Sequence, residues 1–195
     1  MMTAPLNTSG LGLRPGDHAC AFYWSTSGAH ADLIASYVAE GIEAGDKCIC
    51  FIDDQHSVVE RLPEAMADRA DQLVVMEPDG WYVPEERFSA EEHLARLDAI
   101  VRSALSDEYK RVRLVGDASF VFRRAVEHDE WFRYEAQVNL FADRYPQYLL
   151  CLYDLDCFDG ALVTSALRTH PVIFVNGMVL QNPYYSSPTE YARVS

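Results

Sequence analysis

Three aspartates stand where chemistry is easiest to place. Asp53, Asp117 and Asp154 each follow directly on an apolar run: CICFI, VRLVG and YLLCLY. A carboxylate at the end of a buried strand can accept a hydrogen bond, hold a divalent cation or act as a general base. A fourth run, HACAFY, ends at Tyr23 and Trp24 and passes into the small polar loop STSGAHAD, which carries Ser27 and His30. A phosphate-gripping loop at such a place needs GxxxxGK[ST]: glycines for the approach of backbone amides, a lysine against the charge, a hydroxyl for magnesium. Here one glycine remains, and the lysines of the chain, Lys47 and Lys110, stand elsewhere. The amides of a helix start could still attract an anion weakly, but the acidic residues nearby oppose it, which speaks against efficient ATP hydrolysis.

The elements that must position these residues follow from periodicity. His18 to Asp54 reads as strand, loop, helix and strand, a βαβ unit. Its helix, about 29–44, buries Leu33, Ile34, Tyr37, Val38 and Ile42 and stops at Gly45. Ser57 and Glu60 have capping-box spacing and predict a helix to about Ala70, followed by a short strand from Gln72 to Met76. The segment EPDGWYVPEERF predicts a turn at Pro78–Gly80 with two exposed aromatics, Trp81 and Tyr82, that either cap the core from outside or cover a ligand. Ser89 and Glu92 start a helix whose Leu94, Leu97, Val101 and Leu105 form one stripe. On the next long helix Trp131, Tyr134, Val138, Phe141 and Tyr145 face the sheet. A helix from about Asp159 to Arg168 follows, and VIFV and MVLQ flank Asn176 and Gly177, the signal for a two-residue hairpin.

Strands alternating with helices predict an α/β domain with a mostly parallel central sheet and a C-terminal β-hairpin. In such sheets ligands bind beyond the carboxyl ends of the strands. That rule gathers Tyr23, Trp24, Ser27, Asp53, Asp54, Asp117, Tyr153, Asp154 and Asp156 on one rim. Trp81 is the candidate lid, and His30 is the histidine placed for ligand contact. Glu135, inside an aromatic stripe, is expected either to pair with Arg133 or Arg144 or, raised by burial, to join Asp117 in residual base or magnesium chemistry. His18 and His170 are expected to hold loops by hydrogen bonds, and His56, His93 and His128 to lie on the surface. Without shared histidine spacing, no metal site is expected.

The 195 residues suffice for one well-buried domain. Residues 1–15 read as a loose lead-in, 16–191 as a single domain and 192–195 as a tail. A formal net charge of −14 argues against direct binding to nucleic acid or to an anionic membrane. No apolar run approaches the ~18 residues of a membrane span and no signal peptide is visible, so a cytoplasmic protein is expected. Five cysteines, mostly in or near core strands, read as free thiols. Cys48 and Cys50 share a strand face, and a metal site joining them to Cys20 or Cys151 is the minor alternative. The tyrosine-rich tail QNPYYSSPTEYARVS either packs onto the domain itself or binds a partner.

Family resemblance adds to this. YVAEGIEAGDKCICFIDD resembles the helix and second strand after the P-loop of RecA-like ATPases of the KaiC group, and VRLVGD sits where their Walker B strand would end in an acid. GDHACAFY, AEGIEAGDKC, LCLYDLDCF, LRTHPVIFVNG and NPYY, in that order, resemble the MEDS domain over about 16–191. The resemblance implies a RecA-like three-layer fold with a degraded P-loop, non-catalytic and without a cofactor. It implies a sensor of a small, hydrocarbon-derived molecule that passes its signal to a transcription-regulatory or signalling protein. With neither a helix-turn-helix nor a kinase module in the sequence, output would pass through such a partner or through homo-oligomerisation. The ligand would sit among Tyr23, Trp24, Trp81 and Tyr153, with Asp53, Asp117 or Asp154 accepting from its polar end.

Overall fold

A computed structural model describes residues 13–53, 55–84, 87–175 and 178–194. Asp54, the Asn176–Gly177 turn, residues 1–12 of the lead-in and the side chain of Ser27 lie outside the described residues. Among the described residues seven strands form one sheet: β1 (His18–Tyr23), β2 (Lys47–Phe51), β3 (Leu73–Met76), β4 (Val112–Asp117), β5 (Gln147–Asp154), β6 (Val172–Val175) and β7 (Met178–Gln181). Their order is β3-β2-β4-β5-β1-β6-β7, and every pairing is parallel except β6 with β7. The expected α/β architecture, with a mostly parallel sheet and a closing antiparallel pair, is the one observed.

Alternation along each strand divides the core into two layers. Ala19, Ala21, Cys48, Cys50, Ile52 and Leu150 pack with the buried face of α1 (Ala29–Ala44) and with Val58 of α2 (Gln55–Val59). Ile49, Phe51, Leu114, Leu149 and Tyr153 pack on the other side with α4 (Ala90–Ser106) and α6 (His128–Ala142). There α7 (Gly160–Thr169) and α8 (Pro188–Val194) also pack against α6. Cys20 and Cys151 point to this second layer, so the sheet separates them from Cys48 and Cys50. The metal site that would join the two groups is thereby ruled out, and all five cysteines are free.

The local signals explain most boundaries. Gly45 ends α1 with φ at 78°, a left-handed conformation costly for other residues. The Ser89 hydroxyl accepts from Glu92 N to start α4, and Asp159 accepts from Ala161 N and Leu162 N to start α7. The helix expected from Ser57 to Ala70 instead divides into α2 and a 3-10 segment, Glu64–Gln72. Pro63 lies between them, and a proline cannot donate to a continuing helix ladder. The turn expected at Pro78 is a short helix, α3 (Pro78–Tyr82). Tyr82 is buried rather than exposed, stacked on Phe120 at 4.3 Å and His93 at 4.4 Å. His93, expected on the surface, is fully buried and accepts a hydrogen bond from Trp81 Nε1 at 3.1 Å. Burial, with Arg96 adding to it, keeps its imidazole neutral, well below the ordinary range.

At the amino-terminal end of the sheet, Asp46 is wholly buried between two arginines. Its carboxylate accepts from Arg111 Nε at 2.8 Å and Arg113 Nε at 2.9 Å. Arg113 also reaches Glu40 at 3.2 Å and lies 5.0 Å from each of the Tyr37 and Tyr148 ring centroids. This node fixes α1, β2 and β4 at the end of the sheet away from the candidate site.

Candidate functional site

At the carboxyl ends of the central strands the structure holds a cleft of about 370 Å³. Tyr23 ends β1, Asp117 ends β4 and Asp154 ends β5, while Ile52 and Asp53 follow β2. His30 and Ile34 come from the first turns of α1, Val58 from α2, and Phe122 and Arg123 from α5 (Phe120–Arg123). The cleft therefore lies in the layer of α1 and α2. Its floor is apolar and its rim acidic.

The polar groups of the cleft bind one another in pairs. Tyr23 donates its hydroxyl to Asp117 Oδ2 at 2.6 Å, and its ring stacks on His30 at 4.6 Å. Burial, then the negative charge of Asp117, raises the Tyr23 hydroxyl far above its usual range, so it remains a donor. Asp117 Oδ1 accepts from Ser119 N at 2.8 Å. Arg123 forms ion pairs with Asp53 at 2.7 Å and Asp79 at 2.8 Å. Burial, reinforced by Asp117 and Asp79, pushes the Asp53 carboxyl up against the pull of Arg123. His30 Nδ1 is buried without a hydrogen-bond partner.

The loop after β1 is a single 3-10 turn, Ser25–Ser27, leading through Gly28 at φ 67° into α1. Asp154 accepts from Ser25 N at 3.2 Å, and Asp156 accepts from the Ser25 hydroxyl at 2.7 Å. In a phosphate loop such an amide and hydroxyl would face the ligand; here carboxylates of the same chain occupy them. A triphosphate would meet Asp53, Asp117 and Asp154 with Arg123 already paired.

The structure thus brings together Tyr23, His30, Asp53, Asp117 and Asp154 of the residues singled out from sequence. Trp24 is 55% exposed and outside the cleft wall. Trp81, Glu135 and Tyr153 lie in the opposite layer. Trp81 stacks on Phe51 at 4.7 Å, capping the core, and Tyr153 is fully buried. Glu135 pairs with neither Arg133 nor Arg144: its Oε2 lies 3.2 Å from His18 Nε2 and 3.5 Å from His170 Nε2. Since Asp117 and Glu135 occupy opposite layers, the arrangement does not unite them as a magnesium or base pair. Ile34, Val58, Phe122 and Arg123 also line the cleft, and no local signal in the sequence singles them out. Ile34 belongs to the apolar stripe of its helix, and such a stripe does not reveal which of its members border empty space.

The helical end of the tyrosine-rich tail, α8, packs against α6 and α7, while Tyr184 is 68% exposed. Tyr191 is buried beneath Arg168. Asn182 anchors the segment by donating to the His170 carbonyl at 2.7 Å. Among the described residues no helix is long and apolar enough to cross a membrane.

Comparison with known proteins agrees with a sensory module. DcmR of Methylorubrum extorquens, a transcriptional repressor, is 25% identical over 169 residues, which cover 86% of this chain and 63% of the repressor. The match therefore spans less than two thirds of that relative. Residues 17–171 match the model of the MEthanogen/methylotroph, DcmR Sensory domain, and the chain belongs to this MEDS family.

Proposed function

We propose that the chain is a non-catalytic sensory module that binds a small, mainly apolar molecule in the cleft and relays occupancy to a regulatory partner. The carrying observation is the cleft itself. About 370 Å³ suits a small organic ligand, with Ile34, Ile52, Val58 and Phe122 supplying apolar wall and His30, Asp117 and Asp154 supplying polar contacts. A hydrocarbon derivative with one hydrogen-bonding end fits that division better than a nucleotide does. The mostly parallel sheet and the loop after β1 agree with a RecA-like scaffold whose phosphate grip has been lost. Since DcmR is a transcriptional repressor, the partner we favour is a transcription regulator in the cytoplasm, reached directly or through homo-oligomerisation.

The test is a thermal-shift and tryptophan-fluorescence screen with short alcohols, amines, halogenated alkanes and ATP. A ligand that binds only the folded state raises the melting temperature by mass action. The expected result is a shift with an apolar compound, weakened in His30→Ala and Asp154→Asn, and none with ATP. A response to ATP alone, or a shift indifferent to both variants, would overturn the proposal.

A further inference from the structure

We propose that His18, Glu135, Cys151 and His170 form a binding site for one divalent transition-metal ion of the zinc type, buried in the layer opposite the cleft. The four ligand atoms lie within 4.8 Å of one another. They come from the start of β1, the middle of α6, the middle of β5 and the residue that closes α7.

The distances are those of a coordination shell. Bonds of ~2.0–2.3 Å at tetrahedral angles separate neighbouring donors by about 3.3–3.8 Å. His18 Nε2 lies 3.2 Å from Glu135 Oε2 and 3.2 Å from Cys151 Sγ. Glu135 Oε2 lies 3.5 Å from His170 Nε2 and 3.7 Å from Cys151 Sγ. Four of the six edges of the tetrahedron therefore already have its dimensions.

Both imidazoles are held in the tautomer a metal requires. Asn139 Nδ2 donates to the carbonyls of Glu135, Ala136 and Thr169, which turns Asn139 Oδ1 toward His18 Nδ1 at 3.3 Å. His18 Nδ1 must then carry its proton, leaving the Nε2 lone pair facing Glu135 and Cys151. His170 Nδ1 donates to the Ala166 carbonyl at 2.7 Å, which likewise leaves Nε2 as a lone pair. Fixing ligand histidines through Nδ1 to an oxygen is the usual outer support of such centres. The rings are only 4.0 Å apart, so two lone pairs converge on one carboxyl oxygen, an arrangement that a cation held between them would satisfy.

The unmet valences point the same way. His170 Nε2 is buried with no hydrogen-bond partner, and it and Glu135, which has the Tyr153 hydroxyl beside it, are at most 1% exposed. Leaving such groups unmet is costly in a protein interior. A carboxylate and a thiolate offset the double positive charge. Two nitrogens, one sulfur and one oxygen suit zinc and exclude calcium or magnesium, which take oxygen shells. On binding, the Cys151 S–H bond breaks, its proton leaves for solvent, and the electron pair it leaves on sulfur forms the metal bond; no redox partner is needed. Cys20, Tyr153 and Thr169 complete the surroundings, and a void of about 20 Å³ beside Glu135 and Cys151 has room for one water.

The experiment uses the full chain, purified without a metal-affinity step, with metal content measured and Co²⁺ introduced by refolding from denaturant and chelator. We expect about one zinc per chain and a tetrahedral Co²⁺ spectrum with a sulfur charge-transfer band. Cys151→Ser should lose that band, and His170→Gln should lose binding. Asn139→Ala, which touches the shell only through His18, should weaken affinity ~10–100-fold. Wild-type protein that holds no stoichiometric zinc or cobalt, as purified or refolded, overturns the proposal. So does a Co²⁺ spectrum unchanged in both Cys151→Ser and His170→Gln. The wild-type measurement decides the matter even where a variant fails to fold.

Discussion

Replacing Asp46 by Asn keeps the shape of the buried node and removes its charge. The amide can still accept from one arginine through Oδ1, but its NH2 then faces the other, donor against donor. The two partners respond differently. Arg111 is one third exposed and can turn to water, so its loss is that of a surface pair, at most ~1 kcal/mol. Arg113 is 6% exposed and wedged between Tyr37 and Tyr148; its remaining charged partner is Glu40, itself partly solvated, beside the Tyr37 carbonyl at 3.4 Å. Breaking a buried pair from one side costs ~3–5 kcal/mol, and retention of Glu40 places the expected loss near the lower end, about 3 kcal/mol. Urea denaturation at neutral pH measures it directly, with an unchanged slope showing that the unfolded state is the same. Arg111→Met serves as the control and should cost ~1 kcal/mol or less. A loss below 1 kcal/mol for Asp46→Asn, or equal losses for the two variants, would refute this account.

Three further outcomes follow from the geometry. A Cβ at Gly116 would stand 2.5 Å from Tyr82 Oη, so Gly116→Ala should cost ~1–3 kcal/mol, and the same change in a Tyr82→Phe background should cost little. His93 stays neutral when folded but binds a proton below its ordinary pKa of 6.5 when unfolded. Its contribution is whole above pH 6.5 and falls by up to ~1.4 kcal/mol per unit as pH drops below it. Equilibrium denaturation from pH 7.5 to 5 should therefore show the gap between wild type and His93→Gln narrowing in acid, and a constant gap would sink the idea. Arg123 is about two-fifths exposed, so Arg123→Ala should change stability by no more than ~1 kcal/mol while leaving Asp53 and Asp79 unpaired. If the cleft is the ligand site, the same variant should bind a cationic amine more tightly and an anion more weakly, as calorimetry would show.

The sheet was legible in the sequence because parallel strands buried on both faces announce themselves as apolar runs, and the rule that ligands collect beyond their carboxyl ends was enough to find Tyr23, Asp53, Asp117 and Asp154 in one cleft. What periodicity could not supply was the face. Tyr153 stands beside Asp154 on the same strand, yet a pleated strand turns neighbours to opposite layers, so one entered the cleft and the other the core. Trp81 went the same way once Pro78 began a helix instead of a turn. His18 and His170 are 152 residues apart in the chain. Their convergence on Glu135 and Cys151 depends on β1 lying between β5 and β6, a fact of strand order that no local spacing encodes.

That strand order also sets a timetable. β1 precedes the other described strands in the chain, yet both of its neighbours, β5 and β6, begin only at Gln147 and Val172. Until about three quarters of this sequence exists, a strand apolar but for His18 has no native neighbour to pair with. Pairings of such long separation form slowly, because the entropy of closing the intervening loop is lost before the contact repays it. Refolding should therefore be limited by insertion of β1. The nascent chain must keep HACAFY from self-association for longer than any other of its strands.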